Sequence, residues 1–541
     1  MKKFIIIIIL AFAISPIHSQ TWGWVRTAGG NNPDEVSGLL IDNNNNVYLS
    51  GSIMNPSAIF NNIPVGVNGF NDGFVAKYNS AGMLQWVNGY GGYNPYATFD
   101  GVSSVMFNKD TSAIYLSGTF YGDCYIGTYH LAGHSGTDRD VFIAKLDLNG
   151  NCIWAKSMGG FGNDLVRAGV VNSEGNILLT LIFPYSGIVD TFYVAPPRSL
   201  VCFDSSGNCL WVKPVANNAS FYPVIQYGRD YILTGSNSTA EFSIDTMDFN
   251  LPDYHGRFLT RIDSNCSAQW VVVFGGPRSF DGPFIQQNDS GDILFCGVSK
   301  GPYLTIGVDT VYSPKDYILY LSCSNQNGEV IWTKSILSNG QLESRGIFVS
   351  DNSDIYLLGG YRDTTNFESG IMLIPDTAGL SEFFIAKFNN IGVCQNVITL
   401  RNIEGRSIAG STNGSIYFAG QFREPCIVGD TQLSSFGGYD IILGQLLSFE
   451  DIYYPNPGGD QLLIYANPTA GSCNIQIPEE FLGESNLLLS IFGLDGKIIQ
   501  QQNIIIAENK ILLDIEARAK GVYVATLSNG KKVYTGKIVF E

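Results

Sequence analysis

The chain has 541 residues, of which 45% are apolar and 13% aromatic, enough core-forming material for more than one domain. Its formal net charge of −17 sets nucleic acid and anionic surfaces aside as partners. Sixty-one glycines and only 15% charged residues fit short strands joined by tight turns.

The N-terminus reads Met1-Lys2-Lys3, an apolar run from Phe4 to Ile14, then Ser15-Pro16 and Ser19-Gln20, which is the pattern of a secretory signal peptide over residues 1–19. The run is too short to span a bilayer and nothing later is longer, so the mature chain is expected to have no transmembrane segment. No cysteine stands at the cleavage site, so no lipid anchor is expected there. Cleavage removes two lysines, leaving 29 basic residues against 48 acidic ones, a mature net charge of 29 minus 48, or −19.

From residue 21 onward one pattern recurs. Phe142-Ile143-Ala144-Lys145 alternates into a turn at Asp147-Leu148-Asn149-Gly150 and out again through Trp154, a hairpin signature. Copies run from Phe74 through Gly82 to Trp86, from Val201 through Gly207 to Trp211, from Phe258 to Trp270, from Ile318 to Trp332 and from Phe384 through Gly392 to Asn396. A half-copy at Asp440 to Leu443 has no partner after it. A second strand pattern appears seven times between these, at Tyr48, Tyr115, Ile177, Ile232, Ile293, Tyr356 and Tyr417. The anchors at 24, 86, 154, 211, 270, 332 and 396 lie 57 to 68 residues apart, a period suited to a four-stranded sheet with one elaborated loop. The unpaired Trp22-Gly23-Trp24-Val25 at the start supplies the strand that the last unit lacks, so residues 21 to 28 are predicted to close the ring. With its glycine pairs, Asp-x-Phe-x-Ala-Lys strands and Gly-x-x-x-Trp turns, this region resembles the seven-bladed β-propeller repeat family; repeats three, four and seven depart from the pattern by lacking the lysine, the turn glycine or the tryptophan. The expected fold is all-β: a propeller over 20–446, a linker at 447–453 and a small C-terminal β-sandwich over 454–541.

That last segment opens with Tyr454-Pro455-Asn456-Pro457 and continues through Ile491 to Gly496-Lys497, Lys520-Gly521-Val522-Tyr523 and Gly536-Lys537-Ile538-Val539. In order and position these motifs closely resemble the type A C-terminal sorting domain of type IX secretion. The resemblance implies recognition by the type IX machinery, passage through the outer membrane, removal of the domain, and attachment to surface lipopolysaccharide or release.

Candidate chemistry is sparse. His130 and His134 sit in a loop hairpin whose counterpart in the last repeat carries Gln432, which argues against a ligand pair. Asp42 to Asn46 mimics the start of a calcium loop, but Val47 and Ile53 stand where glycine and the bidentate glutamate belong, so an inter-strand turn is expected. No serine lies in a nucleophile elbow and no cysteine has a histidine partner in view. Most of the ten cysteines occupy equivalent apolar positions and read as buried thiols, while Cys202 and Cys209 are placed to face each other across a hairpin. No metal or cofactor site is expected.

In an antiparallel blade the second-to-third and fourth-to-first connections share one face, and here they are long, as at 52–71, 119–139 and 361–381. Long connections on a rigid scaffold are where ligands are usually met. The aromatic connection around Tyr90, Tyr93 and Tyr96 is the candidate contact surface for a glycan or protein, the alternative being rings that cap blade-to-blade packing. The reading is a secreted, surface-displayed, non-catalytic binding or adhesion propeller. The alternatives are a propeller hydrolase or lyase acting on polysaccharide, since sequence gives no distances between carboxylates, and a structural surface-layer component.

Overall fold

The computed structural model describes residues 21–448 apart from 55–56, 67–68, 93–100, 135–137, 215–219, 237–240, 245–246, 251–255, 368–370, 376–380, 412–413 and 430. Toward the C-terminus it describes 462, 464–465, 471–482, 487–493, 498–505, 510–514, 520–529 and 532–540. The expected signal peptide lies outside the described residues. The chain divides into two compact units, one of which is Trp22–Phe449, while the other contains Glu450–Glu541.

The first unit is a β-propeller. Among the described residues, consecutive antiparallel strands group into seven successive four-stranded sets, numbered blades one to seven. Blade one comprises Glu35–Ile41, Val47–Met54, Asn71–Tyr78 and Leu84–Gly92; blade six comprises Leu342–Val349, Ile355–Tyr361, Glu382–Phe388 and Cys394–Leu400. Blade seven takes Ile403–Gly410, Ile416–Phe422 and Asp440–Ser448 from its own repeat, and its fourth strand is Thr21–Gly29 from the N-terminus. The first strands touch one another in cyclic order, the first strand of blade one packing against that of blade seven, so the blades form a closed ring. Second strands such as Ile355–Tyr361 are buried at every residue because a neighbouring blade covers each face, which is why they read as unbroken apolar runs.

Every first strand carries a β-bulge at the same level, for example between Val36 and Gly38, Val166 and Ala168, Ser344 and Gly346, and Gly405 and Ser407. A bulge bends the strand and leaves one residue out of the ladder.

The long second-to-third connections are not open loops. Ser57–Phe60 and Ile63–Gly66 form a hairpin that pairs with Thr21–Gly29 of blade seven, and Asp123–Ile126 with Tyr129–Ala132 pairs onto the outer strand of blade one. Equivalent hairpins extend the outer strands of blades two, four and five. Five blades thus gain a fifth and sixth strand from their successor, which pairs an outer edge that would otherwise offer free N–H and C=O groups to other chains, whereas the hairpins of blades four and seven form two-stranded sheets of their own.

Two repeat signatures are explained by close contacts, one across the seams and one largely within a blade. The Trp86 indole N–H donates to Leu148 O of the next blade at 3.1 Å and stacks on Gly150, whose φ of +85° favours glycine. Trp24, Trp211 and Trp270 donate likewise to Ser80, Ser264 and Gln326 of the following blade. In the glycine pair, a Cβ on Gly159 would lie 1.8 Å from Asp140 Oδ1, and one on Gly160 would lie 2.2 Å from Ser186 O of the strapping hairpin.

All ten cysteines are free. Cys202 faces Trp211 and Cys209 faces Phe203, because a bulge between Cys202 and Phe203 slips the register, so the two thiols do not oppose each other.

The C-terminal unit has a three-stranded sheet of Ile464–Tyr465, Ser472–Gln476 and Lys510–Asp514 and a four-stranded sheet ordered Ile498–Ile504, Leu487–Gly493, Gly521–Ser528, Val533–Phe540. Both sheets contribute to one core around Ile475, Leu489, Leu513 and Ile538, giving a sandwich.

Candidate functional site

Between blades six and seven the propeller opens into a cavity of about 650 Å³. It lies on the face of the second-to-third and fourth-to-first connections. Its floor is built by the two first strands, where Glu343-Ser344-Arg345 and Glu404-Gly405-Arg406 occupy matching positions at the bulges. Arg345 Nη2 lies 2.5 Å from Glu343 Oε2 and 3.8 Å from Glu404 Oε1, while Arg406 Nη2 lies 2.9 Å from Glu404 Oε1. The Gln421 amide donates to the other oxygen of Glu404 at 3.3 Å. The floor is therefore an alternating Glu–Arg network that crosses the seam.

The wall comes from the start of the third strand of blade six, where Tyr361 Oη donates to Glu382 Oε2 at 2.7 Å. Around the mouth stand Arg362, whose Nε donates to Ser381 Oγ at 2.6 Å, with Arg401, Asn402, Arg423, Glu424 and Tyr439. These mouth residues, Ser381 apart, are exposed, whereas Glu343 and Glu382 are 6% and 7% accessible. The arrangement offers fixed acceptors and forked donors to a polar ligand.

The described residues among those singled out from sequence are not in the lining of this cleft. Tyr90 is buried in the core shared by blades one and two, so its ring fills packing space and presents no face to a ligand. Burial also pushes its hydroxyl pKa up. Tyr93 and Tyr96 lie outside the described residues. His130 Nε2 lies 3.4 Å from Asp123, and His134 Nδ1 lies 3.3 Å from Asp140, so the two imidazoles serve different carboxylates. Among the described residues no cluster of three His, Cys, Asp or Glu side chains could hold a metal ion. At the calcium-like stretch, Asp42 Oδ1 accepts from Asn44 N and Asn46 N, the same turn that Asp147, Asp204 and Asn325 build elsewhere.

The seams hold buried carboxylates that the motifs did not announce. Asp34 accepts from Gly30 N at 2.8 Å and Met54 N at 3.0 Å, and Asp164 accepts from Gly160 N at 2.8 Å. Burial pushes both carboxyls up to about 7 and that of Asp440 to about 6.

Of the sorting-domain positions, Tyr523 is buried in the sandwich core, Gly521 is exposed at the start of its strand, and Lys537 belongs to the last strand. Tyr454, Pro455, Asn456, Pro457, Gly496 and Lys497 lie outside the described residues. Residues 453–541 match the family model described as the secretion system C-terminal sorting domain. The chain is a propeller with a type IX sorting tail. The tail indicates use of the type IX machinery, secretion, and attachment at the cell surface or outer membrane. Among the described residues no helix is long and apolar enough to cross a membrane.

No curated protein sequence matches the chain. Solved structures similar to it include the Cps50 (Swd1) β-propeller domain of Myceliophteria thermophila, at 8% identity and TM-score 0.41, covering 80% of this chain and 100% of that one. Another is Drosophila Semaphorin 2a, at 10% identity and TM-score 0.39, covering 97% and 98%. A virginiamycin B lyase from Staphylococcus aureus follows at 9% identity and TM-score 0.39, covering 77% and 98%.

Proposed function

We propose that the protein is a surface-displayed, non-catalytic binding or adhesion propeller whose ligand cleft lies between blades six and seven. The observation that carries this reading is the floor of the cleft, where Glu343 and Glu404 are tied to Arg345 and Arg406 and so form a fixed recognition surface. Removal of the sorting domain would leave the propeller attached to surface lipopolysaccharide or released, where it can meet soluble or neighbouring polymers. A second reading, a hydrolase or lyase acting on polysaccharide, is favoured by one specific observation: four glutamates, 343, 382, 404 and 424, line a single cleft.

The two readings separate in one experiment. The purified chain is presented with a panel of polysaccharides and cell-surface polymers, and each retained polymer is sized by mass spectrometry. Retention with unchanged chain length supports the binding module; shortened products overturn it in favour of the enzyme.

A further inference from the structure

Two arginines at the mouth of the cleft are charges that its floor leaves over. Among the described residues Arg362 donates to the Ser381 hydroxyl, and neither it nor the side chain of Arg423 has a carboxylate partner there. The carboxylates beneath them are already engaged, Glu343 and Glu404 by Arg345 and Arg406, and Glu382 by Tyr361. On a chain of net charge −17, two uncommitted guanidinium forks beside a cavity are locally anomalous. Long-range attraction cannot be their purpose, because the field of the whole chain repels anions. Their value is at contact, where a guanidinium grips a carboxylate or sulfate through paired hydrogen bonds.

The remaining mouth groups select the polymer. Asn402, Glu424 and the exposed Tyr439 ring supply hydroxyl-reading and ring-stacking surface. Among the described lining residues the apolar side chains Phe383 and Ile403 are each 2% accessible, so apart from the Tyr439 ring no apolar surface is offered to a peptide side chain. Resting on the binding reading above, we infer that the cleft takes an acidic saccharide, a glycan segment bearing carboxylate or sulfate groups held by Arg362 and Arg423.

The test uses the whole purified chain and isothermal titration with four probes at fixed salt: oligogalacturonate, a sulfated oligosaccharide, neutral dextran oligomers and oligoglutamate. At least one acidic saccharide is expected to bind. Arg362→Gln and Arg423→Gln should each weaken that binding about tenfold or more, and Arg362→Lys should restore it only in part. Both positions are exposed, so unchanged thermal unfolding of the variants is the control for folding. The carboxylated and sulfated arms identify which anionic group is preferred. Binding confined to dextran, or acidic binding unchanged in both variants, overturns the inference while the binding reading stands. Oligoglutamate bound in place of the saccharides also overturns it, in favour of an acidic peptide. Shortened oligogalacturonate with arginine dependence supports the ligand class and overturns the non-catalytic reading, and no binding of any probe overturns both.

Discussion

Asp34 and Asp164 are fully buried at equivalent seams, and their backbone amides donate to Tyr439 O and Arg139 O of the neighbouring blade. Their carboxyls are pushed by burial to about 7, against about 3.9 for an unfolded aspartate. Between those values the native state keeps protons that the unfolded chain has released. Stability is therefore fullest below the unfolded value and falls as pH rises toward 7, by up to about 1.4 kcal/mol per pH unit for each group. The urea midpoint of the native protein should accordingly drop between pH 5 and pH 7.5, and the doubly substituted Asp34→Asn, Asp164→Asn protein should lose that part of the slope. Parallel pH profiles for the two proteins would refute the assignment. Sequence displayed these residues only as acids beside glycine pairs; that they are buried follows from a second blade folding over them. The cleft residues were hidden for a related reason. They come from separate segments around 343, 362, 382, 402, 423 and 439, although one local signal was present, the Glu-x-Arg that recurs at Glu343 and Glu404 in successive first strands.

At the level of strands and hairpins, the period and the turns were legible because each depends on its own few residues. Asp147 and Gly150 make their turn without help from elsewhere. Destinations were less legible: the 119–139 connection shows its length in sequence, but its pairing with Leu84–Gly92 is set by an edge in another repeat. The loss of tryptophan at Asn396 has a structural reason of the same sort. Blade seven has no third-to-fourth turn, since its fourth strand arrives from the N-terminus, and an indole in blade six would lack the seat that Trp86 finds on Gly150. Trp86→Ala removes both the stacking and the bond to Leu148 O, and should destabilise the propeller by about 3 kcal/mol, read from chemical denaturation. A change under about 1 kcal/mol would mean the seam is held mainly by other contacts.

For the molecule as a whole, closure rests on Thr21–Gly29 lying between Asp440–Ser448 and the hairpin that begins at Ser57. Deleting residues 21–29 exposes two strand edges at once. The shortened protein is expected to self-associate in size-exclusion chromatography and to lose its cooperative thermal transition; a monomer with an unchanged transition would show that the ring closes without this strand. The same feature has a consequence in time. The segment that seals the ring is synthesised before its partner, which follows roughly 400 residues later. At ordinary elongation speeds of about 5–20 residues per second, the wait is on the order of 20–80 s. Throughout that interval the seal is an unmatched aromatic ribbon, Trp22-Gly23-Trp24-Val25, so shielding it until the last blade emerges is a task that falls to whatever accompanies the nascent chain.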